Sequence, residues 1–177
     1  MSDEFATDQI EPPDTHFVSA AEGWLELGAP AEASSELANL SPSAREHPDA
    51  LQLRWAIHAA NEDWSTALEV AEQLVTNAPG VSAGWIHRAY ATRRNTEGSL
   101  EAAWLALYPA AKLFPKEPII PYNLACYACQ MGRLQESKAW LNRALKIPAN
   151  RNERIMIKKM ALADSDLEVL WGEIERL

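Results

Sequence analysis

The sequence is poor in the residues from which active sites and disulfide frameworks are built. Only two cysteines occur in 177 residues, Cys126 and Cys129, too few and too close together for the disulfide scaffold of a small secreted domain. A zinc centre needs further ligands, and no second cysteine pair or His-x3-His spacing is present; His16, His47, His58 and His87 are scattered along the chain. A redox pair wants its first cysteine at a helix N-terminus, where the dipole favours the thiolate. Here both cysteines fall several residues past Pro121, inside a helical stretch, which suits packing or the lining of a groove. A glycine-rich phosphate loop and a Gly-x-Ser-x-Gly elbow are both missing. The acid pairs Glu62 with Asp63 and Asp164 with Asp166 sit at turns and helix starts, where complementarity to the helix dipole accounts for them. No catalytic constellation emerges, so the expectation is a non-enzyme with neither cofactor nor metal.

Long apolar runs and early bases are lacking too. No stretch of eighteen apolar residues exists, which argues against a membrane span. Residues 1–14 carry five acids, no base and no apolar core, unlike a signal peptide, and the expected location is cytoplasmic. Residues 1–50 hold eleven acids against Arg45 alone, a net charge of −10, whereas residues 51–177 hold fourteen acids and fifteen bases, +1. Residues 133–159 carry eight bases against Glu136 and Glu153. An acidic chain (net −9) whose bases are not interleaved with exposed aromatics does not suit nucleic acid. The charge asymmetry instead allows weak head-to-tail homo-oligomers at low salt.

What is present is a globular composition, 47% hydrophobic and 23% charged, with an internal repeat. Aligning the chain on Gly28, Glu62, Gly98 and Gly132 divides it without gaps into residues 14–47, 48–81, 82–117 and 118–151. Two antiparallel helices that touch closely need small residues where they cross. The eighth place of each unit holds Ala21, Trp55, Ala89 and Ala125, and the twentieth holds Ala33, Ala67, Ala103 and Ser137. Leu37, Ala71, Leu107 and Leu141, then Leu40, Leu74, Ala110 and Ala144, follow at spacings of four and three, one stripe of a helix. Pro79 and Pro115 close the second and third units. Trp55 breaks the small-residue column and should hold its two helices apart. Pro109, inside the second helix of the third unit, should break it near Tyr108, because a proline there costs about 3 kcal/mol.

A period of 34 residues with these columns resembles the tetratricopeptide repeat (TPR) family over about four fifths of the chain. The run from Tyr122 to Leu145 looks like a bacterial repeat of this kind. The resemblance implies an all-α, right-handed superhelical solenoid of four helix hairpins, preceded by an acidic disordered tail (1–13) and closed by a capping helix pair (152–177). In the last segment Ser165 and Glu168 form a capping-box pattern, and Leu167, Leu170, Trp171 and Ile174 make an apolar stripe. Core positions are expected for Trp64, Trp85, Trp104 and Trp140.

The family also implies a function, the holding of another protein against the inner faces of the first helices. Carried over place by place, that groove takes in Val18, Gln52, Ile86, Tyr90, Arg93, Arg94, Tyr122 and Cys126, with Met156 added by the helix after the fourth unit. Heat-shock chaperone adaptors of the family clamp a carboxylate with Lys and Asn, but Val18 and Glu22 stand at those places here. An amphipathic helix or apolar peptide suits the strip better. Two readings stay open, a scaffold or adaptor and a dedicated chaperone for a secreted or assembled client. The groove could equally be filled by a neighbouring copy or by the chain's own tail.

Overall fold

The computed structural model describes residues 9–176, and every regular element among them is helical. The chain divides into two compact units, Met1–Glu97 and Gly98–Leu177. The division falls in the long turn after Arg94, so the two helices of the third repeat belong to different units.

The first unit contains α1 (Asp14–Glu26), α2 (Pro30–Leu37), α3 (Pro42–Arg45), α4 (Pro48–Ala60), α5 (Trp64–Asn77) and α6 (Ser82–Arg94). Proline opens α2, α3 and α4, where its missing N–H is not needed. Ser41, His47 and Asp63 cap α3, α4 and α5 through their side chains. The small-residue columns are buried as the crossings require, with Ala21, Ala33, Ala67, Ala71 and Ala89 sealed from solvent. A Cβ at Gly84 would lie 3.0 Å from Leu74 Cγ, so glycine lets α6 approach α5 closely. Asp14 ties the first hairpin shut: Ser41 donates to its carboxylate from the backbone N–H (2.8 Å) and from Oγ (2.6 Å). Those bonds, the hydroxyl's foremost, hold the Asp14 carboxyl below its ordinary value. Within the tail expected to be disordered, residues 1–8 lie outside the described residues, whereas Ile10 packs against the core of this unit.

The second unit contains α7 (Leu100–Leu107), α8 (Ala110–Leu113), α9 (Ile119–Gln130), α10 (Leu134–Lys146), α11 (Arg151–Ala163), a 3-10 turn (Ser165–Leu170) and α12 (Trp171–Ile174). Pro109 divides α7 from α8 as its geometry demands. Ser137 Oγ donates to the carbonyl of Ala125 at 2.8 Å, so the eighth and twentieth places of the fourth repeat meet directly. The segment after α11 differs from the expected capping-box helix. Asp164 is the N-cap, accepting from the Asp166 N–H at 2.9 Å, and the first six residues wind as 3-10. A three-residue turn brings Leu167 and Leu170 onto one line, and both are buried with Ile174 against α9 and α10.

Trp64, Trp85, Trp104 and Trp140 correct the sequence expectation: each is half-buried rather than core. An arginine guanidinium lies over each of three of them, Arg94 5.4 Å from Trp64, Arg88 4.7 Å from Trp85 and Arg143 5.4 Å from Trp140, while Trp104 stacks on Tyr108.

Candidate functional site

The first unit gathers an aromatic cluster capped by arginine. Trp55 of α4 does more than interrupt a column of small residues. Its ring stacks on His87 of α6 at 3.8 Å and meets the edge of Tyr90 at 5.9 Å. Trp64 of α5 lies 5.7 Å from the Tyr90 ring. Arg94, one helical turn beyond Tyr90, folds back so that its guanidinium carbon sits 3.6 Å over that ring and 5.4 Å from Trp64. Arg94 is exposed and Tyr90 half-exposed, so the surface presents an aromatic face with a fixed positive charge. Behind it, burial pushes His87 down to about 4, and the imidazole is neutral at pH 7. Ile86 and Arg93 are half-buried on the same helix. Val18 belongs to the core around α1, and Gln52 bonds back to the carbonyl of Pro48 at 3.4 Å. Of the groove residues taken from the sequence, this unit therefore brings Tyr90 and Arg94 together. The repeat positions pointed to neither Trp55 nor Trp64 as their companions. Both tryptophans are legible only as large residues one helix away.

The second unit treats the equivalent residues differently. Tyr122 and Cys126 are 4% and 3% exposed, beneath the 3-10 turn. The Tyr122 hydroxyl donates to Asp164 Oδ2 at 2.8 Å, and Cys126 Sγ lies 3.5 Å from the same oxygen. Gln130 Nε2 adds a bond to the carbonyl of Asp166 at 3.0 Å. Tyr122 and Cys126 are thus core residues here, which removes them from any surface open to a partner. The sequence groups them with Tyr90 because it shows the repeat position and not what covers it. Met156 of α11 is exposed.

Cys126, Asp164 and Asp166 offer three potential metal ligands within 4.8 Å of one another. Their chemistry fits an internal latch better than a cation site. Burial foremost, and then the two carboxylates, push the Cys126 thiol well above its ordinary range, and Asp164 already accepts from Tyr122. The Cys129 thiol is likewise raised by burial.

No protein-family model and no curated protein sequence matches the chain. Solved structures do. TTC0263, a thermophilic TPR protein of Thermus thermophilus, superposes with a TM-score of 0.66 at 18% identity, covering 93% of this chain and 100% of that one. MamA, residues 41 to the end, from Desulfovibrio magneticus RS-1 gives a TM-score of 0.64 at 15% identity over 95% of this chain and 98% of its own. A MamA RS-1 ArsTM double mutant gives 0.64 at 15% identity, with 95% and 97% covered. At these identities the likeness is one of fold: the chain has the all-α repeat fold of TPR proteins.

Proposed function

We propose that the protein is an interaction scaffold that holds a peptide or helix of another protein on the α6 side of its first unit. The observation that carries this reading is the Arg94 guanidinium stacked 3.6 Å over the half-exposed Tyr90 ring, with Trp64 beside it. Aromatic and arginine side chains held in place in advance are the usual anchors of protein interfaces, since little conformational entropy is lost when they engage. The cation favours an occupant with carboxylates next to its apolar face. The TPR fold supports the scaffold reading, and so does the arrangement of buried thiols and satisfied carboxylates, which resembles packing more than catalysis.

No helix among the described residues is long and apolar enough to cross a membrane. The test is site-specific photo-crosslinking in the native host. A photoreactive residue at position 86 or 90 should give a discrete protein adduct, lost on Arg94→Glu, while one at Glu69 on α5 should not. A single recurrent client would narrow the scaffold to a dedicated chaperone. Adducts from position 69 and none from 86 or 90 would sink the reading.

A further inference from the structure

Two surfaces of the chain are apolar, exposed and of opposite charge. Around Pro109, Tyr108 and Leu113 are 48% and 55% exposed and line, with Trp140 of α10, a cleft of about 480 Å³. Tyr108 is held there by stacking on Trp104 at 4.5 Å and by an edge contact with Trp140 at 5.9 Å. The cleft's charged lining is entirely basic, Lys112 and Arg143, and Arg143 is pinned by donation to the carbonyl of Ala111 at 2.6 Å. In the first unit the end of α1 exposes Trp24 (38%) and Leu27 (76%). The α1–α2 hairpin that carries them holds Asp14, Glu22, Glu26, Glu32 and Glu36 with no lysine or arginine.

We propose that the Tyr108 cleft receives the Trp24–Leu27 end of α1 from a second copy of the chain. The cleft is roomy enough for an indole, and its aromatic walls with a basic rim complement an apolar tip in an acidic field. Because the two surfaces differ, the contact is heterologous and repeats from copy to copy rather than closing as a two-fold dimer. It uses neither Tyr90 nor Arg94, so it stands apart from the scaffold surface. The patches are small, which places the contact among weak interfaces and makes it salt-sensitive.

The experiment is sedimentation velocity of the full chain at low salt and high protein concentration. Wild type should associate reversibly, with a loss of roughly tenfold or more on Trp24→Ala or on Tyr108→Ala. Wild type should also associate more weakly in about 0.5 M salt, where screening shortens the reach of the charges to about 4 Å. Leu27→Ser and Leu113→Ser, at still more exposed places, repeat the test should either aromatic variant fold poorly by circular dichroism. The decisive arm mixes the two aromatic variants. Each lacks one surface and stays monomeric alone, but together they should form a 1:1 dimer that grows no further. A strict monomer for wild type, a mixture that stays monomeric, or Trp24→Ala associating like wild type overturns the proposal. Association lost on deleting residues 1–8 but kept in Trp24→Ala also overturns it, by assigning the cleft to that segment.

Discussion

In the second unit the face carrying Tyr122 and Cys126 is covered by the chain's own 3-10 turn, whereas in the first unit Tyr90 remains half-exposed under Arg94. Both faces belong to the first helix of a repeat, α6 of the third and α9 of the fourth. The difference lies in the segment downstream. After α10 come α11 and a stretch whose Asp164 accepts the Tyr122 hydroxyl and whose Leu167 and Leu170 bury themselves against α9 and α10. The charge differs in parallel. Residues 1–97 carry sixteen acids and five bases, −11, while residues 98–177 carry nine acids and eleven bases, +2. One repeat can therefore serve as core or as surface, depending on whether a later segment covers it.

The comparison breaks most sharply if that cover is loosened. Leu167 is sealed from solvent, and Leu167→Ala should cost about 3 kcal/mol from lost burial and the cavity left behind. Hydrogen exchange is the informative measurement, because protection of α9 amides should fall while those of α1 and α2 keep theirs. Equal loss in both units would mean that they unfold as one.

The next effect belongs to the first unit. His87 is depressed to about 4 by burial, against an ordinary value of 6.5. An unfolded chain therefore takes up a proton below pH 6.5 that the folded chain refuses until about pH 4. Stability should fall by about 2 kcal/mol as the pH drops through that window, an amount reduced for the ring's partial exposure. Asp14 acts in a separate, lower window. Its folded value lies below 3.8, so its contribution is complete above that pH and lost only as the pH falls through the folded value. Chemical denaturation at pH 7 and pH 4.5 should thus show a loss in wild type that largely disappears in His87→Gln.

Tyr122→Phe tests the latch without removing the ring. Loss of the hydroxyl leaves Asp164 Oδ2 short of its donor and should cost about 1–2 kcal/mol. Cys126 and Cys129 in wild type should resist a thiol reagent at pH 8 until the protein unfolds, because burial raises both. Tyr122→Phe should label Cys126 faster. Rapid labelling of native wild type would show that the turn does not seal this face.

The repeat columns were legible because helix crossings tolerate only small side chains, and Ala21, Ala33, Ala67, Ala89, Ala103 and Ala125 are sealed accordingly. Pro109 was legible because its ring leaves the helix no choice. The site was less so. Repeat position says which way a residue points within its hairpin, and on that basis Ile86 matches Tyr122 and Tyr90 matches Cys126, all on the inner face. What separates the two repeats is the cover over the fourth, fastened by the long-range bond from Tyr122 to Asp164, 42 residues away, which no local pattern encodes. The Trp55–His87 stack escaped for a similar reason, since each residue reads locally as an exception or a stray histidine.

The smallest expected effect compares one backbone position in the two units. Glu62 and Gly132 both follow the first helix of a hairpin and both have positive φ, 56° and 75°. Gly28 adopts 71° at the matching place of the first repeat, so the left-handed turn belongs to the hairpin and not to one sequence. Glycine enters that region freely, while a side chain meets a steric penalty of roughly 1–2 kcal/mol. Glu62 is exposed, and the bonds around it are backbone ones: Asp63 N–H to His58 O at 2.9 Å, and Glu62 N–H to Ala59 O at 3.1 Å. Glu62→Gly should keep them and relieve the strain, but the unfolded chain gains freedom worth about 0.5–1 kcal/mol against it. The net expectation is a stabilisation of about 0.5–1 kcal/mol, with Glu62→Asn falling between. Gly132→Ala should move the other way by about 1 kcal/mol through its φ alone, since nothing lies within 4 Å of a Cβ placed there. Urea midpoints at constant slope measure both. A Glu62→Gly protein less stable than wild type would mean that the Glu62 side chain contributes a favourable interaction larger than the strain it carries.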